Sequence, residues 1–151
     1  MSPRSAGVLA ASLLVAGARA LGAQPPSAPG SRDSVVSLYC AAWSAADRAE
    51  RDRLLERVWA PDGTYLDQGN TRTEGRAALS DAIGRMLQRY PGAHFRCSGA
   101  HTHHDVMRFA WVVLGGDGKQ LLDGMDFAEL APDGRIRRIV GFFGPLPSAA
   151  P

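Results

Sequence analysis

Cysteine is scarce in this 151-residue chain, with Cys40 and Cys97 the only two. They form no Cys-x-x-Cys pair, and no Gly-x-Ser-x-Gly elbow, P-loop or dinucleotide fingerprint occurs. The reaction classes that rest on those motifs lose their support, and nothing in the chain calls for an organic cofactor. Charge of one sign is missing too, since Lys and Arg number 17 against 15 Asp and Glu. Without a basic excess there is no electrostatic footprint for nucleic acid or an anionic membrane. Internal repeats are absent, as is low-complexity sequence beyond one proline-rich stretch.

What is present begins with Arg4 and the apolar run Ala6 to Leu21, too short and alanine-rich for a membrane span but laid out like a cleavable secretory signal. Cleavage after Ala20, or preferably after Ala23, sets residues 1–23 aside. Residues 24–32, with Pro25, Pro26 and Pro29, read as a stiff tether. The folded domain is expected over residues 33–146, with 147–151 as a tail; about 125 residues are enough for one domain with one core. Because Arg4 and Arg19 leave with the signal, the mature chain balances 15 basic against 15 acidic residues. The expectation is an exported protein, periplasmic or secreted, with no membrane association after cleavage. In such an oxidising compartment one Cys40–Cys97 bridge can form, provided their Cα atoms lie within reach; otherwise both serve as small buried apolar residues.

Along the domain, Ser31 or Asp33 can cap a helix whose apolar residues recur at Val35, Leu38, Tyr39, Ala42, Trp43 and Ala46. Asp47 can cap a second, with Leu54, Leu55, Val58 and Trp59 as its stripe and Pro61-Asp62-Gly63 as its stop. Thr64 to Gln68 alternates like a strand and turns at Gly69-Asn70 into a short return through Thr73. Leu79, Ile83, Met86, Leu87 and Tyr90 mark a third helix, ended by Pro91-Gly92. Four strands are then expected, from His94 to His103, Val106 to Leu114, Leu121 to Leu130 and Arg135 to Phe143. Helices first and strands afterwards argue for an α+β fold, an antiparallel sheet with helices on one face.

One residue stands out within these strands. Asp126 lies between Met125 and Phe127 and shares a face with the small residues Gly124 and Ala128. A carboxyl group in such an apolar setting has its pKa raised by desolvation, which suits it to move a proton near neutral pH. The plain alternative is a carboxylate paired with Arg108 or Arg138. Asp67 shares a strand face with Tyr65, although an acid beside a Gly-Asn turn is often only a turn residue. His101, His103, His104 and Asp105 form the densest titratable cluster. Alternation lets at most two of those histidines converge, whereas zinc wants three or four ligands, so no metal is expected. His103 is instead expected as a pocket acid or base beside Asp126. Trp111, with an indole N–H that needs an acceptor when buried, and Phe143 are candidate pocket walls together with Tyr65. Arg135, Arg137 and Arg138 read as a solvated strand.

The element order and four segments together resemble the SnoaL-like branch of the nuclear-transport-factor-2-like superfamily. Tyr39-Cys-Ala-Ala-Trp-Ser-Ala-Ala-Asp47 is similar to the family's opening helix, and Ala60-Pro-Asp-Gly-Thr-Tyr-Leu-Asp67 to its first strand. Gly75-Arg-Ala-Ala-Leu79 is similar to the start of its third helix. Gly124-Met-Asp-Phe-Ala-Glu-Leu130 with Asp133-Gly-Arg-Ile136 is similar to its closing hairpin. The resemblance spans roughly Val35 to Pro145. It implies a cone-shaped α+β fold, three N-terminal helices packed on a curved, mainly antiparallel sheet around a small-molecule pocket. Ketosteroid isomerases of this superfamily keep a general base at the place of Asp67, a protonated acid at Asp126 and a partner tyrosine at Tyr39. Gln68 departs from them, for they usually carry proline there.

Three readings of function follow. The first is a cofactor-independent isomerase, cyclase or hydratase acting on a small, partly apolar molecule, with Asp126 central and Asp67, His103 and Tyr39 assisting. The second is a non-catalytic ligand-binding module of the same fold, and the third a structural dimerisation domain whose cavity is filled by its own side chains. Convergence of two acids and a histidine favours the first, and a lone Asp126 the second. The strand Val106 to Leu114 is apolar on both faces, so a homodimer through the outer face of the sheet is expected.

Overall fold

A computed structural model describes residues 30–69 and 71–148 of the chain. The signal reading, most of the tether, Asn70 of the expected turn and the end of the tail lie outside the described residues. Helix α1 (Arg32–Ser44) starts where Ser31 accepts a hydrogen bond from the Ser34 N–H, and α2 (Arg48–Val58) where Asp47 accepts from Glu50 N–H. Each cap satisfies a helical N–H that would otherwise lack a partner. Helix α3 (Arg76–Arg89) follows Gly75, whose φ of 83° is open chiefly to glycine. Leu79, Ile83 and Leu87 form its buried stripe.

The strands are β1 (Trp59–Leu66), β2 (Arg72–Glu74), β3 (His94–Cys97), β4 (His101–His103), β5 (Val106–Leu114), β6 (Gln120–Leu130) and β7 (Ile136–Phe143). Pro61-Asp62-Gly63 does not separate α2 from the sheet. β1 already begins at Trp59, which pairs with Ile136, and an irregularity between Trp59 and Thr64 absorbs the Pro-Asp-Gly segment. The strand expected from His94 to His103 is broken at 98–100. There Ser98 bonds to Ala110 through its backbone and its hydroxyl, while β3 and β4 pair with different ends of β5.

The architecture is α+β, but the cone with a curved sheet does not form. The sheet runs β2-β1-β7-β6-β5-β3, with β4 also on β5, and is neither closed nor strongly curled. Its ends are the three-residue β2 and the four-residue β3, which do not pair with each other. Closure into a barrel would require that pairing. The sheet is also mixed, because β1 and β7 run parallel.

One face of this open sheet carries Tyr65, Met107, Phe109, Trp111, Val113, Ala128 and Ile139, all buried with α1, α2 and α3 in a single core. Two cross-links fix the helices. Cys40 of α1 and Cys97 of β3 form a disulfide with Cα atoms 6.2 Å apart, beside the Ser44 hydroxyl that accepts from Phe95 N–H. Buried Arg51 donates to the Ser80 hydroxyl and to the carbonyls of Ala45 and Ala46, tying the α1–α2 link to α3. A buried guanidinium is tolerated because its N–H groups find acceptors.

Candidate functional site

Between α1, α3 and the inner sheet face lies a cavity of about 590 Å³, inside the roughly 300–1,000 Å³ range of small-molecule sites. Asp126 forms part of its wall and is only 4% exposed. Strand pairing explains how the carboxylate is held. Asp126 lies opposite Phe109 on one side and Gly141 on the other, and Trp111 lies opposite Gly124. A Cβ on Gly124 would stand 2.5 Å from the Trp111 ring, so the missing side chain gives the indole its place. From there Trp111 Nε1–H donates to Asp126 Oδ1 at 2.8 Å. The room beside Asp126 that its small neighbours leave is thus filled by Trp111.

Burial pushes the Asp126 pKa up to about 7, against the opposing pull of the Trp111 N–H and of the nearby Tyr39 hydroxyl, with Asp67 adding a smaller upward push. Neither Arg108 nor Arg138 neutralises it. Arg138 pairs with Glu129, and Arg108 is exposed on the other face of the sheet. The Tyr39 hydroxyl lies in the influence of Asp126 but makes no hydrogen bond of good geometry, and it is buried without a partner, as is Trp43 Nε1. Burial and the neighbouring Asp126 hold the hydroxyl pKa values of Tyr39 and Tyr65 well above the ordinary tyrosine range.

Asp67 also lines the cavity, at the end of β1. Its Oδ1 accepts from the N–H groups of Gly69 and Thr71 at 2.8 and 3.1 Å, and its Oδ2 from the Tyr65 hydroxyl at 3.2 Å. It therefore closes the β1–β2 turn as well as facing the cavity. Phe143 packs edge-on to Trp111 at 5.7 Å between centroids. Six of the seven singled-out residues, Tyr39, Tyr65, Asp67, Trp111, Asp126 and Phe143, thus come together.

His103 does not. It lies on β4, exposed, paired with Val106 at the end of β5 remote from Trp111, and its only described side-chain partner is His104. The break at 98–100 carries the histidine cluster off the cavity. Among the described residues no three His, Cys, Asp or Glu side chains converge as a metal site would need. Phe142, the neighbour of Phe143, points to the outer face and is half exposed.

Sequence reasoning missed Gly141, Arg85 and Arg89. A Cβ on Gly141 would stand 3.1 Å from Asp126 Oδ1, 3.6 Å from Tyr65 Oη and 3.7 Å from Asp67 Cβ. Its bare backbone keeps the space among those three groups open, and glycine inside a strand is the signal that could have found it. Arg85 and Arg89 line the mouth from α3; helical spacing alone does not separate them from solvated arginines.

Comparison with known proteins agrees with this construction. The family model of the SnoaL-like domain matches residues 36–139. A candidate isomerase of the SnoaL-like family from Agrobacterium tumefaciens is 30% identical, with 76% of this chain and 97% of that one covered at a TM-score of 0.70. Two more distant structures share the fold. A hypothetical protein with a ketosteroid isomerase-like fold from Catenulispora acidiphila, in complex with trimethylamine, is 18% identical over 78% of this chain and 88% of its own, TM-score 0.61. A candidate ketosteroid isomerase from Kribbella flavida is 20% identical over 80% and 82%, TM-score 0.56. No curated protein matches the sequence. With the family domain covering most of the folded chain, this protein belongs to the SnoaL-like family.

Proposed function

We propose that this protein binds a small, partly apolar molecule in the inner cavity and moves a proton on it without a cofactor, as an isomerase, cyclase or hydratase. The observation that carries this reading is Asp126, a carboxyl group in the cavity wall whose burial pushes its pKa up to about 7 and which, among the described residues, meets no cation within ion-pair distance. Near neutral pH such a group is present in both protonation states, so it can donate or accept. The unpartnered Tyr39 hydroxyl beside it can donate to an oxygen on which negative charge develops. Asp67 is the second acid in the lining, with its oxygens already accepting from the Gly69 and Thr71 N–H groups and the Tyr65 hydroxyl.

The test is Asp126→Asn. Turnover should be lost while the circular dichroism of the fold is kept, read as proton exchange in D2O on a panel of cyclic β,γ-unsaturated ketones and 1,3-diketones. Full activity in the variant would overturn the assignment. The second reading is ligand binding without chemistry; weakened ligand affinity with no turnover in either protein would select it. A cavity of this volume speaks against a purely structural domain filled by its own side chains. Export remains a proposal resting on residues 1–23. The disulfide suits an oxidising compartment, and amino-terminal sequencing of the mature protein should begin near Leu21 or Gln24. Among the described residues no helix is long and apolar enough to cross a membrane.

A further inference from the structure

Helix α3 presents two stripes. Leu79, Ile83 and Leu87 enter the core, while Ala82, Arg85, Met86 and Arg89, followed by the C-cap residue Tyr90, line the cavity. Three of the polar groups elsewhere on the helix have partners, while Gln88 is exposed. Arg76 donates to the Trp59 carbonyl, Ser80 accepts from Arg51, and Asp81 pairs with Arg48. Arg85 and Arg89 are different. They stand one turn apart at the mouth, and among the described residues neither meets a carboxylate within ion-pair distance. Like charges at this spacing repel by about 0.2–0.5 kcal/mol, and Asp81, one turn before Arg85, is paired with Arg48 instead. Arg89, in the last turn, is favoured by the helix dipole, but Arg85 stands one turn further in.

The rest of the mouth is largely apolar, with Asp67 and Thr71 at the β1–β2 turn as polar exceptions in the lining. Tyr90, Leu121 and Leu122 are exposed large hydrophobic side chains that line it. Two guanidinium groups without a described carboxylate partner, that of Arg89 lying 5.8 Å from the centre of the Tyr90 ring, stand among exposed apolar side chains above a largely apolar cavity and complement one kind of molecule. We infer that the ligand is an amphipathic anion, a carboxylate or an equivalent acid, whose charged end is held by Arg85 and Arg89 at the mouth and whose apolar body extends inward toward Asp126. Guanidinium groups suit this task because their planar fork meets a carboxylate through two parallel N–H donors. The arrangement also sets orientation, since the charge stays at the wet rim and the uncharged part reaches the buried carboxyl group. This inference rests on the inner cavity being the ligand site.

The test compares 2-naphthoate with uncharged 2-naphthamide, titrated into the full chain while tryptophan fluorescence is followed, because Trp43 and Trp111 line the cavity. The acid should bind about tenfold more tightly than the amide, the worth of one charge-assisted contact at a partly wet site. Arg85→Gln with Arg89→Gln should reduce that preference to less than about twofold, by weakening the acid more than the amide. Both residues are exposed, so the double variant should keep the native melting temperature. Equal binding of acid and amide to the native protein, or a preference that survives in the double variant, would overturn the anion inference and leave the cavity reading standing. Failure of both probes to bind the native protein would overturn the two together.

Discussion

At the scale of single residues, Asp126 ties stability to pH in a definite direction. Its folded pKa of about 7 lies above the ordinary 3.8, so between those values the folded state holds more protons than the unfolded chain. Stability from this group is therefore fullest below about pH 4 and falls as pH rises toward 7, by an amount on the order of a few kcal/mol. Asp126→Asn, which keeps an oxygen for the Trp111 donor, should remove that slope. Its melting temperature should exceed that of the native protein increasingly from pH 5 to pH 8; parallel melting curves would contradict the burial argument. Trp111→Phe acts the other way. Losing the only indole donor to Asp126 Oδ1 removes a contact that lowers the carboxyl pKa. The Asp126 titration, followed by carboxyl carbon resonance, should then move above 7, and stability should fall by about 1–3 kcal/mol. An unmoved titration would mean the indole merely packs.

Among elements, the join between α1 and β3 carries the largest single constraint. The Cys40–Cys97 bridge closes a sequence separation of 57 residues, and loop closure of that size removes about 4 kcal/mol of freedom from the unfolded chain. Reduction, or Cys40→Ser with Cys97→Ser, should lower stability by about that much in urea melts. It should also weaken ligand binding, because both cysteines line the cavity; equal stability with and without reductant would overturn this. The elements themselves were largely legible in the sequence. Helix α3 could be read from a four-residue apolar repeat, and β5 from Met107, Phe109, Trp111 and Val113 alternating with exposed or half-buried residues. Asp126 was legible as a carboxyl group inside an apolar strand. What could not be read depends on pairings far apart in the chain. The parallel partnership of β1 with β7 sets Trp59 against Ile136, and Gly141 matters only because it lies opposite Asp126. The exposed place of His103 on β4 could not be read either, because the strand breaks at 98–100, where the Ser98 hydroxyl accepts from Ala110 N–H across the sheet, and no local periodicity records that.

For the whole molecule, the open sheet leaves a face without helices. Ala110, Val112, Met125, Phe127, Val140 and Phe142 form apolar positions there, with Phe142 48% exposed and the rest exposed or half-buried. Beside them a second hollow of about 320 Å³ is lined in part by Arg108, Met125 and Leu146. The inner face already buries its apolar side chains against three helices, so an outer face of similar character is unfinished in a single chain. We propose that two copies cover it by a two-fold contact, the symmetry by which one patch can satisfy itself. A stable contact of this kind needs about 800 Å² from each partner, and an apolar patch on β5, β6 and β7 would supply its centre. Sedimentation at micromolar concentration should therefore give a dimer. Phe142→Glu should convert it to a monomer without unfolding it, because that side chain lies outside the core and a charge placed there is costly only when a partner covers it. The inner cavity of the resulting monomer should still bind its ligand, since none of its described lining residues includes Phe142. A native protein that sediments as a monomer, or a Phe142→Glu variant that remains dimeric, would rule out this face as the interface.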